Sequence, residues 1–372
     1  MQTKHPFYIR STIILLGLVL LVYVLASLRE ILIPLAFALL LSVLLNPLVN
    51  RFEKQKFPKV VAIIISLLLA IVFMVGLIYF LSSQLTGFSN ELPVLKQKSV
   101  DLFISAQQMA TNKLGLSSAK QQQLLHEAEN GLQAFLGHSL TTVVGSLTLI
   151  FLVPVYSFLF LYYKNLLLNF LYEVFAEKNA GEVSIVLQQT KTAVQSYMVG
   201  LLIEGIIVAT LNAIALLILG VKYAVLLGVI GAILNVLPYI GGIIAIALPV
   251  LMATITKNGY HTQLGIIIAY LIIQFIDNHF LIPWIVSSKV KINALISIVG
   301  VLLAGALWGI SGMFLSIPFI GILKIVFDRI DELKPWGKLL GDEVPTRLEG
   351  SMWAKARRKA LTMVQYKRGT HS

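Results

Sequence analysis

Four polar side chains share one face of an otherwise apolar stretch in the C-terminal half of the chain. Tyr270, Gln274, Asp277 and Asn278 are spaced i, i+4, i+7 and i+8, which brings residues to one side of a helix. A carboxylate and two amides supply oxygen ligands suited to a hard cation or to a hydroxyl-rich solute. In a low-dielectric surrounding the Asp277 carboxyl could also carry a proton. The alternative is that Asp277 lies near the end of its helix and is simply solvated.

A second pair of polar residues lies in an earlier apolar stretch. Glu204 and Asn212 are eight residues apart, so both fall within the same half of a helix surface and could line a path. Glu204 could equally stay near the end of its helix, in contact with water. Asn212 alone is more often a hydrogen-bond partner between helices than a ligand.

Glycine and proline interrupt two long apolar stretches, the first of them between Asn235 and Gly241. Pro238 removes a backbone donor, and the glycine lets the chain turn sharply. Helix ends expose N–H or carbonyl groups that carry partial charges, so a tip containing Asn235 and Tyr239 could bind an ion or a polar solute. A tight turn with a purely structural role is an equal alternative.

The second interruption contains Gly305, Gly309 and Gly312, with Pro318 following. Glycines spaced three and four residues apart let helices approach closely. This pattern favours packing or a sliding, gating surface over ligand binding.

The amino-acid composition indicates that the polar residues described above lie within a membrane protein. The chain of 372 residues is 58% hydrophobic and only 12% charged, with a mean hydropathy of +0.87, whereas soluble domains are about 25% charged. This apolar composition excludes a cytosolic enzyme, a disordered regulator and a secreted module.

The sequence has no cysteine, no histidine spacing typical of metal sites and no nucleotide-binding loop, so we expect no metal, no cofactor and no enzymatic activity. The net charge of +12 is attributed to cytoplasmic Lys and Arg, not to nucleic-acid binding.

The apolar blocks predict an all-α polytopic membrane protein with about eight transmembrane segments. The blocks are 11–28, 31–49, 60–83, 140–163, 199–221, 223–256, 262–286 and 292–327. Two of them, 223–256 and 292–327, would each reach about 50 Å as straight helices, well beyond a core of about 30 Å. Both contain one of the interruptions, so we interpret them as broken or re-entrant helical hairpins. Two long, tilted and kinked helices are the alternative.

Lysine and arginine between the blocks predict the orientation. Basic residues place the N-terminus and the turn after the second block in the cytoplasm, and the basic residues of the tail place the C-terminus there as well. The expected segments are a three-span scaffold (1–83), an extracytoplasmic amphipathic insert (84–139), a fourth span with a cytoplasmic interfacial helix (140–198), a transport region (199–327) and a cytoplasmic basic tail (328–372).

Three motifs in this order resemble the autoinducer-2 exporter family of membrane transporters. They are Pro238-Tyr239-Ile240-Gly241, Asp277-Asn278 followed by Pro283, and the segment from Gly305 through Trp308-Gly309-Ile310-Ser311-Gly312 to Pro318. The resemblance covers nearly the whole chain. It implies a permease of the bacterial inner membrane that forms homo-oligomers, with a pentamer as the expectation. Some relatives are assigned to autoinducer-2 export and others to sodium/proton antiport.

We therefore expect a secondary transporter that exports a small hydrophilic solute, such as autoinducer-2, by alternating access in the lipid bilayer. The alternative is a sodium (or lithium)/proton antiporter, in which Asp277 and Glu204 bind a monovalent cation and protons. A membrane scaffold without transport activity is disfavoured, because it would not need broken helices beside a polar stripe.

Overall fold

The computed structural model describes residues 6–89, 150–236, 240–257, 259–286 and 291–342. All regular secondary structure within these ranges is helical. The elements are α1 (Phe7–Ser27), α2 (Arg29–Lys54), α3 (Lys59–Ser89), α4 (Ile150–Tyr162), α5 (Lys164–Ile218), α6 (Ala224–Asn235), α7 (Ile240–Thr256), α8 (His261–Ile276), a π-helix (Asp277–Val286), α9 (Ala294–Phe327) and α10 (Lys334–Leu340). The predicted insert beyond residue 89, the turn residues Pro238 and Tyr239, and the tail from residue 343 lie outside the described residues.

The described helices are those of a polytopic membrane protein. By length and composition alone, five of them are candidate spans: α2, α3, the part of α5 from Gly181, α8 with its π-helix, and α9, which reverses midway as described below. A sixth candidate is formed by α4 and the first part of α5, which meet at an angle of 64°. Apolar side chains are exposed along α1 and α3, as expected for surfaces in contact with lipid. The prediction of an all-α polytopic membrane protein is confirmed.

Helix α5 differs from the sequence expectation, which placed an interfacial helix at 164–198 and a separate span after it. No helix boundary occurs there, because α5 runs from Lys164 to Ile218. Two different candidate spans use α5: its first part, Lys164–Phe175, pairs with α4, and Gly181–Ile218 is a candidate span by itself.

The C-terminal end of α5 is defined by Gly220, which has a φ of +64°. The Gly220 N–H donates to the Leu217 carbonyl, and the Val221 N–H donates to the Leu216 carbonyl. These two bonds form the Schellman arrangement that satisfies the last carbonyls of a helix. The chain can therefore reverse direction immediately and enter α6.

The predicted break within 223–256 is a helical hairpin, called here the first hairpin, with α6 and α7 as its arms. A methyl group placed on Gly231 in α6 would lie 3.6 Å from the Ala245 Cβ in α7. One placed on Gly241 would overlap the Leu234 carbonyl, so only glycine allows this approach. Apolar residues of α5, α6, α7 and α8 form one buried core around this hairpin: Leu216, Val221, Ala224, Leu227, Ala245, Met252, Ala253, Ile266 and Tyr270.

The predicted break within 292–327 is also a hairpin, called here the second hairpin, because α9 consists of two helical arms joined at a kink. The helix reverses at Trp308 and Gly309, where Gly309 has a φ of +61°. A methyl group on Gly300 would overlap the Ile320 side chain, twenty residues further along. A straight helix would separate those positions by about 30 Å. The interpretation of block 292–327 as one long kinked helix is therefore excluded.

The second hairpin is anchored at both ends. At its turn, the Trp308 indole N–H donates to the Leu25 carbonyl near the end of α1, at 2.9 Å. Below the turn, Leu315 packs against Ala36, Leu40 and Val194.

At the base of the second hairpin, Asn293 holds the beginning of α9 against α10. Its side-chain oxygen accepts a hydrogen bond from the Ile296 N–H at 2.8 Å, which caps the helix. Its side-chain nitrogen donates to the carbonyls of Leu339 and Gly341 at 2.6 and 3.1 Å.

Candidate functional site

Asp277 occupies the junction between α8 and the π-helix and is 1% exposed. A π-helical segment is uncommon and is frequently found at functional sites, because it changes which side chains a helix presents to its neighbours. Pro283 lies within this segment. A buried carboxylate is costly within a membrane protein unless it has a partner.

The partner of Asp277 comes from the first hairpin. The Asn235 side-chain nitrogen, at the end of α6, donates to the Asp277 Oδ2 at 2.7 Å. The start of α7 faces the same place, since a methyl group on Gly242 would lie 3.2 Å from the Gln274 Oε1 and 3.9 Å from the Asn235 Oδ1. Both arms of the hairpin therefore end beside the polar face of α8 and the π-helix.

A further part of the site lies where α5 faces α6 and α8. A methyl group on Gly231 would lie 3.2 Å from the Asn212 Nδ2 and 3.6 Å from the Tyr270 hydroxyl. Asn212 is 2% exposed and Tyr270 is 4% exposed. The absence of a side chain at Gly231 thus brings an amide from α5 and a phenol from α8 to the same spot.

Three buried polar atoms in this region have no hydrogen-bond partner among the described residues. They are the Asn212 Oδ1, the Tyr270 hydroxyl and the Asp277 Oδ1. Leaving such a group unpaired costs about 1–3 kcal/mol, and more when it is charged. Several unpaired groups on adjoining helices are therefore a candidate binding surface rather than a normal core.

Glu204 adds a second buried carboxylate. It is 6% exposed, and its charge interacts with that of Asp277 and with Tyr197. Buried carboxyl oxygens favour groups that donate hydrogen bonds.

The structure gathers most of the polar residues predicted from the sequence, but not all. Glu204, Asn212, Asn235, Gly241, Gln274 and Asp277 belong to the region described above. Asn278 is exposed and lies outside it, because consecutive residues of a helix point about 100° apart. Pro238 and Tyr239 lie outside the described residues. The four residues predicted for gating or packing, Gly305, Gly309, Gly312 and Pro318, are all in the second hairpin.

Sequence reasoning included Gly242 in the turn of the first hairpin, but it did not identify Gly231 or Tyr197 as neighbours of the site. Gly231 and Gly242 are the positions at which Asn212, Tyr270 and Gln274 approach the hairpin. A glycine within an apolar helix is a signal for close contact. It does not indicate which residue makes the contact.

The fold and the site together define a class of protein. A helical hairpin whose arms end at buried, partly unpaired polar groups, within a bundle of membrane spans, is typical of secondary transporters. The comparisons agree, since the profile described as AI-2E family transporter matches residues 12–332. The chain belongs to the AI-2E transporter family.

Several bacterial proteins that are named as transport proteins match most of the chain. The AI-2 transport protein TqsA of Escherichia coli (strain K12) is 27% identical over 320 residues, which is 85% of this chain and 91% of TqsA. YueF of Bacillus subtilis (strain 168) is 28% identical over 81% of this chain and 84% of its own length. YhhT of Escherichia coli is 23% identical over 91% of this chain and 97% of its own length. YueF and YhhT carry provisional names as transport proteins.

These findings support a role in transport of a small solute across a lipid bilayer. The family is one of transport proteins rather than of enzymes. The alternative expectation of sodium/proton antiport receives no support from these relatives.

Proposed function

We propose that this protein exports a small, hydroxyl-rich solute such as autoinducer-2 across the bacterial inner membrane. The observation that carries the proposal is the group of buried polar atoms beside the first hairpin that lack partners among the described residues: the Asn212 Oδ1, the Tyr270 hydroxyl and the Asp277 Oδ1. The name of TqsA supports autoinducer-2 as the first solute to test.

The chemistry of the site favours a neutral solute with several hydroxyl groups. A carboxylate oxygen and an amide oxygen accept hydrogen bonds, while a phenol both donates and accepts. The hydroxyl groups of a polyol can donate to the first two kinds of oxygen and pair with the third, so a polyol suits each of these atoms. An apolar solute would leave them unpaired at a cost of about 1–3 kcal/mol each.

The proposed mechanism is alternating access driven by movement of the first hairpin. Asn212, Tyr270 and Asp277 are at most 4% exposed, so a solute reaches them only when the surrounding helices separate. The hydrogen bond from Asn235 to Asp277 links the hairpin to the π-helix. In this mechanism the bond breaks as the hairpin moves, and a solute hydroxyl replaces the Asn235 amide.

The remaining expectations from the sequence are parts of the same proposal. Both termini would be cytoplasmic, the N-terminal spans would act as a scaffold, and the protein would form a homo-oligomer, with a pentamer suggested by the family resemblance. The gradient of the solute itself or an ion gradient would supply the energy.

The experiment that tests the proposal is transport of labelled autoinducer-2 into inside-out membrane vesicles. Vesicles with the wild-type protein should accumulate the label faster than vesicles without the protein. Asp277→Ala should reduce this rate by tenfold or more, because it removes a charged acceptor worth at least about 1.4 kcal/mol. Asn278→Ala is the matched control, since it changes the adjacent, exposed residue of the same helix and should transport normally.

Equal transport by Asp277→Ala and wild type would contradict the proposed site.

Antiport needs a separate experiment. A pH-sensitive dye is trapped in proteoliposomes that contain the protein, and sodium or lithium is added against an imposed proton gradient. A cation-evoked pH change that Asp277→Asn abolishes, without transport of autoinducer-2, would replace solute export by antiport.

A further inference from the structure

A separate cluster of basic side chains lies at the corner where α2, α3, α4 and α5 meet, called here the lysine corner. Lys164 begins α5, and its ammonium group donates to the Asn46 Oδ1 at 2.8 Å. Lys59 begins α3, donates to the Tyr162 carbonyl at 2.7 Å and lies over the Tyr162 ring. The charge of Lys164 interacts with the charges of Lys59 and Lys191.

This positive charge is only partly compensated. Glu53 also interacts with Lys164, but the salt bridges among the described residues include none of the three lysines. Three like charges within interaction distance repel one another. The lysine corner therefore offers spare N–H donors and a positive potential that an anion would offset.

The buried Asn46 side chain adds to this potential. It is 5% exposed, and its Nδ2 has no acceptor among the described residues. The orientation of the amide is determined by Lys164, because an ammonium group can bond only to the oxygen. The unpaired N–H group is therefore attached to the same carbon as the oxygen that holds Lys164, and it places a further partial positive charge in the corner.

The surroundings of the lysine corner are those of a membrane surface. Tyr162 and Tyr163, where α4 and α5 meet, are 40% and 47% exposed, and such aromatic side chains concentrate at headgroup level. The first turns of α5 then expose Leu166 and Phe170, at 63% and 57%. An anion held by the lysines would thus lie close to exposed apolar side chains. If the anion is the phosphate of a lipid, these side chains can contact the acyl chains of that lipid.

We propose that the lysine corner, formed by Lys59, Lys164 and Lys191 around Asn46, binds the phosphate of an anionic phospholipid. Basic pockets between membrane helices are suited to such headgroups. The exposed tyrosines and apolar residues beside the corner favour a lipid over free phosphate. The bound lipid would lie on the surface of the helix bundle and connect α2 and α3 to the junction of α4 and α5. This site is distinct from the proposed solute site and does not depend on it.

The test is retention of lipid by the purified full-length protein, measured by native mass spectrometry. The protein in detergent receives equal amounts of phosphatidylglycerol and phosphatidylcholine. Wild type should retain phosphatidylglycerol preferentially, and Lys164→Gln and Lys191→Gln should each reduce that preference by about fivefold. Lys191 is exposed and makes no side-chain hydrogen bond within the described part of the chain, so Lys191→Gln remains informative if Lys164→Gln does not fold.

Lys54→Gln is the matched control, because it removes an equal charge from the exposed end of α2 without touching the lysine corner. It should keep the wild-type preference. Equal retention of the two lipids by wild type, or equal losses in Lys54→Gln and Lys191→Gln, would overturn the proposal. Displacement of phosphatidylglycerol by millimolar inorganic phosphate would also overturn it, since the site would then bind a free anion.

Discussion

The two hairpins share a geometry but bury different chemistry. In both, glycine permits contact between antiparallel arms, at Gly241 in the first hairpin and at Gly312 in the second. The first hairpin ends at a carboxylate, through the bond from Asn235 to Asp277. The buried hydroxyl of the second hairpin, on Ser316, bonds to the Met313 carbonyl of its own helix at 2.6 Å.

The hydrogen bonds that hold the two hairpins in place also differ. The second hairpin is fixed at its turn by Trp308 and at its base by Asn293, and both donate to backbone carbonyls. The first hairpin is linked to the π-helix by a bond between two side chains, which a competing hydroxyl group can replace. The comparison indicates that similar broken helices can serve different purposes, with the first suited to binding and the second to support.

The largest effect should come from adding one methyl group between the arms of either hairpin. A Cβ at Gly241 would overlap the Leu234 carbonyl, and one at Gly312 would overlap the Ala304 carbonyl. Because backbone atoms cannot move aside as a side chain can, Gly241→Ala and Gly312→Ala should each reduce the yield of folded protein severely. Detergent-solubilised yield by fluorescence size-exclusion chromatography measures this.

Gly205→Ala provides the control, since nothing lies within 4 Å of a methyl group at that position in α5. Its yield should equal that of wild type. Normal yields for Gly241→Ala or Gly312→Ala would contradict the close approach of the arms.

Removing one polar side chain from each hairpin should have a smaller effect on stability and should distinguish the two hairpins by their effect on transport. Asn235→Ala removes the only partner that the described residues offer to the Asp277 carboxylate and should cost about 2 kcal/mol of stability. Ser316→Ala removes a bond within one helix and should cost less than about 1 kcal/mol. Thermal unfolding and transport should be measured together: Asn235→Ala should lower both, whereas Ser316→Ala should transport normally. Similar transport losses in the two variants would remove the distinction between the hairpins.

Trp308→Phe should have a modest effect restricted to the second hairpin. It retains an aromatic ring but removes the N–H that bonds to the Leu25 carbonyl, which is worth about 1 kcal/mol. We expect a slightly lower melting temperature and faster proteolysis near the end of α1, with transport unchanged. Protection of α1 equal to wild type would show that packing alone holds this contact.

The smallest effect should come from the ion pair that follows the second hairpin. Lys334 donates to Asp331 at 2.6 Å and holds the pKa of that carboxyl below its usual range. The pair would therefore stabilise the folded state above the ordinary aspartate pKa and lose this contribution as the pH falls through the lowered value. Both groups are exposed, so Asp331→Asn should leave thermal unfolding unchanged at neutral pH. A measurable loss of stability would indicate that this segment is held more tightly than its exposure suggests.

Helical spacing was sufficient to predict part of the site. The stripe of Tyr270, Gln274 and Asp277 follows from periodicity alone, and the structure turns all three toward the first hairpin. The same reasoning included Asn278, which is exposed. Helical spacing predicts only that these residues lie on the same half of the helix surface. Which part of that half is buried depends on the helices that pack against it, and none of the described helices covers Asn278.

The continuity of α5 could not be predicted either. Polar residues between Lys164 and Met198 indicated a separate interfacial helix, but composition does not mark a boundary where the backbone hydrogen bonds continue. The hairpins could be predicted, because a block of about 50 Å does not fit a core of about 30 Å and each block contained glycine at its middle.

The sequence by itself determined the class of protein, the helical spans and the positions where the chain reverses. These follow from hydropathy, from the thickness of a bilayer and from the backbone preferences of glycine and proline, all of which act locally. The tertiary structure decided which polar groups meet. Asn212 and Tyr270 are far apart in the chain, and only the packing of α5 and α8 against the first hairpin places both beside Gly231. The lysine corner has the same origin, because Asn46 meets Lys164, and Lys59 meets Tyr162, only when α2 and α3 pack against the junction of α4 and α5.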